Sequence, residues 1–97
     1  MTRAEFEADL RREGYEVREG EIKPNEHREA HAHGFDARVL VLDGSITLVF
    51  GKDRVTYGPG DSCSVPAGTM HEEHTDADGV RYVSGRRSVP HEAAARS

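Results

Sequence analysis

The chain has little of what would let it cross a membrane, staple itself or grip nucleic acid. Its single cysteine, Cys63, has no internal partner, so no intrachain disulfide forms, which fits a reducing compartment. No basic neighbour in sequence favours a Cys63 thiolate, and the residue reads as a small buried strand position. No apolar run approaches the roughly 18 to 20 residues of a membrane span. The acidic opening segment lacks the basic and hydrophobic regions of a secretory signal, and the expected location is cytoplasmic. Excess positive charge is also missing. The formal net charge is −5, with Lys and Arg scattered among acids, which excludes nucleic acid as a main partner. The aromatics are Phe6, Phe35, Phe50, Tyr15, Tyr57 and Tyr82 alone, and hydrophobic residues make up 35% against 32% charged, the balance of a well-hydrated soluble chain. Its 97 residues fit one small domain. A chain of this size buries only roughly 60–65% of its unfolded surface, so a metal or a partner subunit would add useful stability.

One helix is expected, within an N-terminal segment 1–14. Thr2 with Glu5 makes a capping box, Phe6 and Leu10 share a face, and Gly14 ends the run. After Gly14 the chain reads as strand and turn. Tyr15 to Lys23 is a charged edge strand ending at Pro24-Asn25. Arg38 to Leu42 and Ser45 to Phe50 flank Asp43-Gly44, a hairpin signal. Further strands follow at Arg54 to Tyr57, Ser62 to Val65, Met70 to Thr75 and Val80 to Ser84, separated by turns at Gly51-Lys52-Asp53, Gly58-Pro59-Gly60-Asp61 and Pro66-Ala67-Gly68. Short strands with turns every 8 to 12 residues predict an all-β sandwich or barrel over residues 15–86. The polar, alanine-rich stretch 87–97 reads as a disordered tail. Val39 to Leu42 is apolar on both faces, so something covers its outer side, either the helix through Phe6 and Leu10 or a second subunit, and a homodimer is expected.

The histidines carry the chemistry. His31 and His33, two apart, would point to one side of a strand and grip one ion. His71 follows the Pro66-Ala67-Gly68-Thr69-Met70 turn and would arrive from another strand. His27 and His91 stand apart from this pattern and read as solvated.

The chain here resembles a cupin, a small jelly-roll β-barrel family with two motifs. The family's second motif, Gly, five residues, Pro, one residue, Gly, two residues, His, three residues, Asn, is met by Gly60, Pro66, Gly68 and His71, with Thr75 in the last position. The first, Gly, five residues, His-x-His, three or four residues, Glu, six residues, Gly, is met by His31, His33 and Gly44, with Asn25 for the first Gly and Ala37 for the Glu. The resemblance covers residues 25–75 and implies a single jelly-roll barrel behind the short helix. It also implies a metal held by His31, His33 and His71.

Three neutral imidazoles suit Zn, Fe, Ni, Mn or Cu better than Mg or Ca, and a three-His site leaves positions open for water or a small molecule. With Ala37 at the acidic position, strand parity nominates Glu73, two residues after His71, as the fourth ligand or a general base. His74 and Asp36 are the other options for that ligand, although parity turns both away from the cavity. Phe35, Val39, Val41 and Tyr82 are the expected apolar wall. The leading reading is a small metal-binding cupin that binds or acts on a small polar or anionic molecule. The alternatives are a non-enzymatic ligand-binding or sensing module, with the metal stabilising or absent, and a metal-free structural protein.

Overall fold

In a computed structural model that describes residues 1–88, the capping box forms as read. Thr2 Oγ1 accepts the Glu5 amide at 3.2 Å, and the Thr2 amide donates to Glu5 Oε1 at 2.9 Å. Helix α1 then runs Arg3–Arg12, with Gly14 at φ 82 leading out of it. Eight strands follow: β1 Glu16–Ile22, β2 His27–His31, β3 Phe35–Gly44, β4 Ile46–Phe50, β5 Asp53–Tyr57, β6 Ser62–Val65, β7 His71–His74 and β8 Val80–Ser88. They form two antiparallel four-stranded sheets, one ordered β1-β8-β3-β6 and the other β2-β7-β4-β5. No ladder joins the two sheets, so among the described residues the architecture is a pair of facing sheets and not a closed barrel.

Between the sheets lies a core of Ile22, Val41, Ile46, Leu48, Val65 and Val80. The outer face of the first sheet carries a second cluster, Phe6, Leu10, Leu40 and Val83, to which the helix contributes the fully buried Phe6 and Leu10. This explains why Val39 to Leu42 is apolar on both faces: Val41 faces the inner core and Leu40 the helix. The helix, one of the two covers expected, therefore lies over this face. Gly85 lets it approach closely, since a Cβ there would lie 2.7 Å from a Leu10 methyl. Fully burying a side chain such as Phe6 or Leu10 stabilises by roughly 1.5–3 kcal/mol.

The Asp43-Gly44 signal is not a hairpin. β3 pairs with β8 and β6, whereas β4 pairs with β5 and β7, so the chain changes sheets at this point. Three local features bend it. The β3 register on β8 shifts between Val41 and Asp43, Gly44 adopts φ 74, and the amide of Ser45, between the two strands, donates to the Gly79 carbonyl at 3.0 Å. The hairpin is one strand later, where Gly51-Lys52 joins β4 to β5 with Phe50 opposite Asp53. β8 continues past the expected boundary at residue 86, pairing Arg87 with Asp36 and Ser88 with Phe35. Residues 89–97, the rest of the expected tail, and His91 with them, lie outside the described residues.

Candidate metal centre

His31 closes β2, and His33 sits in the connection before β3, so the two do not share a strand as their spacing predicts. The β2 register on β7 breaks between Arg28 and His31, which removes the strict alternation the prediction needs. Other contacts then place His33. Its carbonyl accepts the Gly68 amide at 2.9 Å, and its ring stacks on Phe35 at 4.6 Å and 18°. The rings still converge, with His31 and His33 centroids 4.8 Å apart. His71, the first residue of β7 and 3% exposed, brings its ring to 4.5 Å from His31 and 5.5 Å from His33.

Glu73 completes the group. Two residues along β7, it faces the same interior, and its Oε2 lies 3.1 Å from both His31 Nε2 and His71 Nε2. Its Oε1 is 3.6 Å from the Arg28 guanidinium, and Arg28 stands opposite Glu73 in the ladder. One ligand atom from each of His31, His33, His71 and Glu73 falls within 4.8 Å of every other. Ala37 lines the same cavity, so where β3 offers no carboxylate, one from β7 in the opposite sheet faces the group.

The two alternative ligands point elsewhere. Asp36 Oδ1 accepts the Ala67 amide at 2.9 Å and Oδ2 lies 3.4 Å from Arg87, so this side chain anchors the turn before β7. His74 belongs to a separate group with His27 and Glu72.

Hydrogen bonding fixes the tautomers of two histidines. His31 Nδ1 lies 2.8 Å from the Glu29 carbonyl and His71 Nδ1 lies 2.9 Å from the Thr69 carbonyl. A carbonyl can only accept, so both Nδ1 atoms carry hydrogen and both rings turn Nε2 inward. Both Nε2 atoms meet Glu73 Oε2. A proton on an Nε2 or a bound cation balances this convergence, and imidazoles oriented through Nδ1 by backbone carbonyls are an arrangement that suits a bound transition metal. The donor set therefore fits such an ion. His33 is held below the ordinary histidine pKa, first by burial and then by the neighbouring His31 and His71, which keeps its ring neutral and able to ligate.

Beside these groups is a cavity of about 110 Å³. Phe35, Val39 and Tyr82 form its apolar wall as expected, whereas Val41 packs in the core. Two cations on the lining, Arg28 and Arg86, are absent from the sequence-based reading. Parity on β8 reaches Arg86 from Tyr82 once the strand is extended. Arg86 lies over the Phe35 ring, its guanidinium carbon 4.7 Å from the centroid. Cys63 also lines the cavity, and its thiol is pushed up to about 11 by burial, with the Glu73 charge adding to the effect. It is not a nucleophile at neutral pH.

Two facing antiparallel sheets around a small cavity, with three imidazoles and a carboxylate converging beside it, define a compact β-protein with a donor set for a transition metal. The chain belongs to the cupin domain family, which matches it over residues 18–84. Solved structures agree on the fold. A Rhizobium leguminosarum bv. viciae protein of unknown function superposes with a TM-score of 0.72 at 19% identity, covering 77% of this chain and 71% of that one. KdgF from a Halomonas species gives 0.65 at 15%, covering 79% and 71%. The polyketide cyclase RemF from Streptomyces resistomycificus gives 0.66 at 26%, covering 78% of this chain but 57% of its own. A comparison with curated protein sequences finds no match.

Proposed function

We propose that this cupin holds one divalent transition metal through His31, His33, His71 and Glu73, inside a jelly-roll framework, and uses it on a small anionic molecule. The observation that carries this is the meeting of two backbone-oriented Nε2 atoms with Glu73 Oε2, each at 3.1 Å. A bound ion of this kind supplies Lewis acidity at its open positions, polarising a carbonyl or lowering the pKa of water. The chain's own residues do the rest. Phe35, Val39 and Tyr82 exclude water from one side of the cavity, and Arg86 offers a planar pair of donors to a carboxylate. Glu73 is assigned as the fourth ligand and not as a free general base, because its Oε2 faces two imidazoles and its Oε1 faces Arg28. A cavity near 110 Å³ suits a molecule of a few heavy atoms. The fold likeness to a polyketide cyclase supports a catalytic role over a purely ligand-sensing one.

Metal analysis of tag-free protein tests the reading. About one equivalent of a transition metal bound at this site, lost in His71→Ala, is the expected result. Less than about a tenth of an equivalent, unchanged after reconstitution, would sink it.

A further inference from the structure

β7 is the sequence His71-Glu72-Glu73-His74, and its alternation sends one His and one Glu to each side. The inner pair belongs to the centre described above. The outer pair, Glu72 and His74, meets His27 from β2, which stands directly opposite His74 in the ladder. The two rings are 4.0 Å apart at 64°. A single carboxylate oxygen, Glu72 Oε1, lies 3.0 Å from His74 Nε2 and 3.4 Å from His27 Nε2. One ligand atom of each residue falls within 4.8 Å of the others.

We propose that His27, His74 and Glu72 form a second, surface site for a divalent transition cation, with zinc as its reference ion, on the outer face of the β2-β7-β4-β5 sheet. The donor chemistry is that of three-ligand zinc sites, two imidazoles and a carboxylate, with a further position open. The spacing also fits. Zinc bonds to nitrogen and oxygen of about 2.0–2.2 Å place tetrahedral ligand atoms roughly 3.3–3.6 Å apart, and the carboxylate-to-imidazole separations of 3.0 and 3.4 Å need only small side-chain adjustments. The backbone preorganises the set, since His27 and His74 are a cross-strand pair and Glu72 is two residues before His74 on the same face. His27 is half exposed at 55%, so a cation reaches the site from solvent.

The site has a structural consequence for the inner centre. β2 is an edge strand whose register on β7 breaks between Arg28 and His31. An ion bridging His27 to β7 would fasten the regular end of β2, the strand that carries His31 at its other end.

Tag-free, chelator-stripped protein titrated with Zn(II) by calorimetry, and with Co(II) by visible absorption, distinguishes the two centres. The proposal expects two equivalents in the wild type. One should be lost in His27→Ala and in Glu72→Gln, both partly exposed positions whose replacement leaves the core intact. The equivalent that remains should still bind, more weakly than in the wild type because β2 is no longer fastened. Two equivalents persisting in the His27→Ala/Glu72→Gln double variant would overturn the outer site. So would one wild-type equivalent that the double variant retains. One wild-type equivalent lost in the double variant would instead support the outer site and remove the inner one.

Discussion

His71 and Glu73 sit on one face of β7 with Nε2 and Oε2 3.1 Å apart, while the opposite ring nitrogen of His71 is tied to the Thr69 carbonyl at 2.9 Å. The turn before the strand thus orients the ring, and the strand's alternation presents the carboxylate to it. If Glu73 is the anionic ligand, Glu73→Gln keeps the shape and removes the charge. Loss of even an outer-shell partner weakens metal binding by about 10–100-fold, and Glu73→Gln should weaken it at least that much. Competition with a chromophoric chelator measures this, and an unchanged affinity would return Glu73 to the role of a bystander.

Much of this centre was legible in the sequence. Parity alone selected Glu73 over His74 and Asp36, because alternation along β7 is undisturbed. Parity failed for His31 and His33, where a register break and a loop contact at Gly68 set the geometry. The change of sheet at Gly44 was hidden for a related reason. Asp-Gly describes a local bend, but whether the next strand returns to its neighbour or crosses to another sheet depends on Gly79, far along the chain. The outer group went unread because His27 gains its meaning only from standing opposite His74.

Leu10 is fully buried between the helix and the β1-β8-β3-β6 sheet, among Phe6, Leu40 and Val83. Leu10→Ala should cost about 2–5 kcal/mol, which lowers the melting temperature by at least roughly 8 °C in a domain of this size. Metal stoichiometry should not change, because the helix lies on the far side of that sheet from the site. Differential scanning calorimetry with metal analysis checks both halves. A shift of only a degree or two would mean that the helix is not docked in solution.

Glu19 joins three elements through two arginines, Arg3 of the helix and Arg81 of β8, each at 3.0 Å. Its carboxyl is held below the ordinary range, first by the Arg3 hydrogen bond and then by Arg81. A lowered carboxylate pKa stabilises the fold above the unfolded value near 4.5, and that contribution is lost as pH falls through the folded value. Wild type should therefore lose melting temperature between about pH 5 and 3 more steeply than Glu19→Gln. The added salt of a 0.5 M buffer should shrink the difference, since the network is exposed. Identical pH profiles would show that the bridge contributes nothing.

Cys63 offers a check on the interior of the cavity. With its thiol pushed up to about 11, almost none is thiolate at pH 8. A disulfide reagent should react with the native protein at least about 100-fold more slowly than with the chain in denaturant, where the pKa returns to about 8.5. The raised value also ties stability to alkali: burial of the neutral thiol stabilises the fold below the unfolded pKa, and this is lost as pH rises toward 11. Rapid native-state labelling would mean that the cavity wall opens.

Arg86 separates holding the metal from holding the ligand. It lines the cavity and braces against Phe35, but it is not one of the four converging donors. A charge-assisted hydrogen bond to a carboxylate contributes about 1.5–3 kcal/mol, so Arg86→Ala should weaken the binding of small monocarboxylates by roughly 10–150-fold. Metal content should stay at the wild-type level. Arg86→Lys keeps the charge but lacks the planar pair of donors, and it should recover only part of the loss. Calorimetric titration of the metal-loaded variants with a series of short carboxylic acids reads all three. If Arg86→Ala binds them as tightly as wild type, the anionic ligand is wrong and the cavity selects for something neutral. If it loses metal together with ligand, Arg86 acts by supporting the fold around His33 and Phe35.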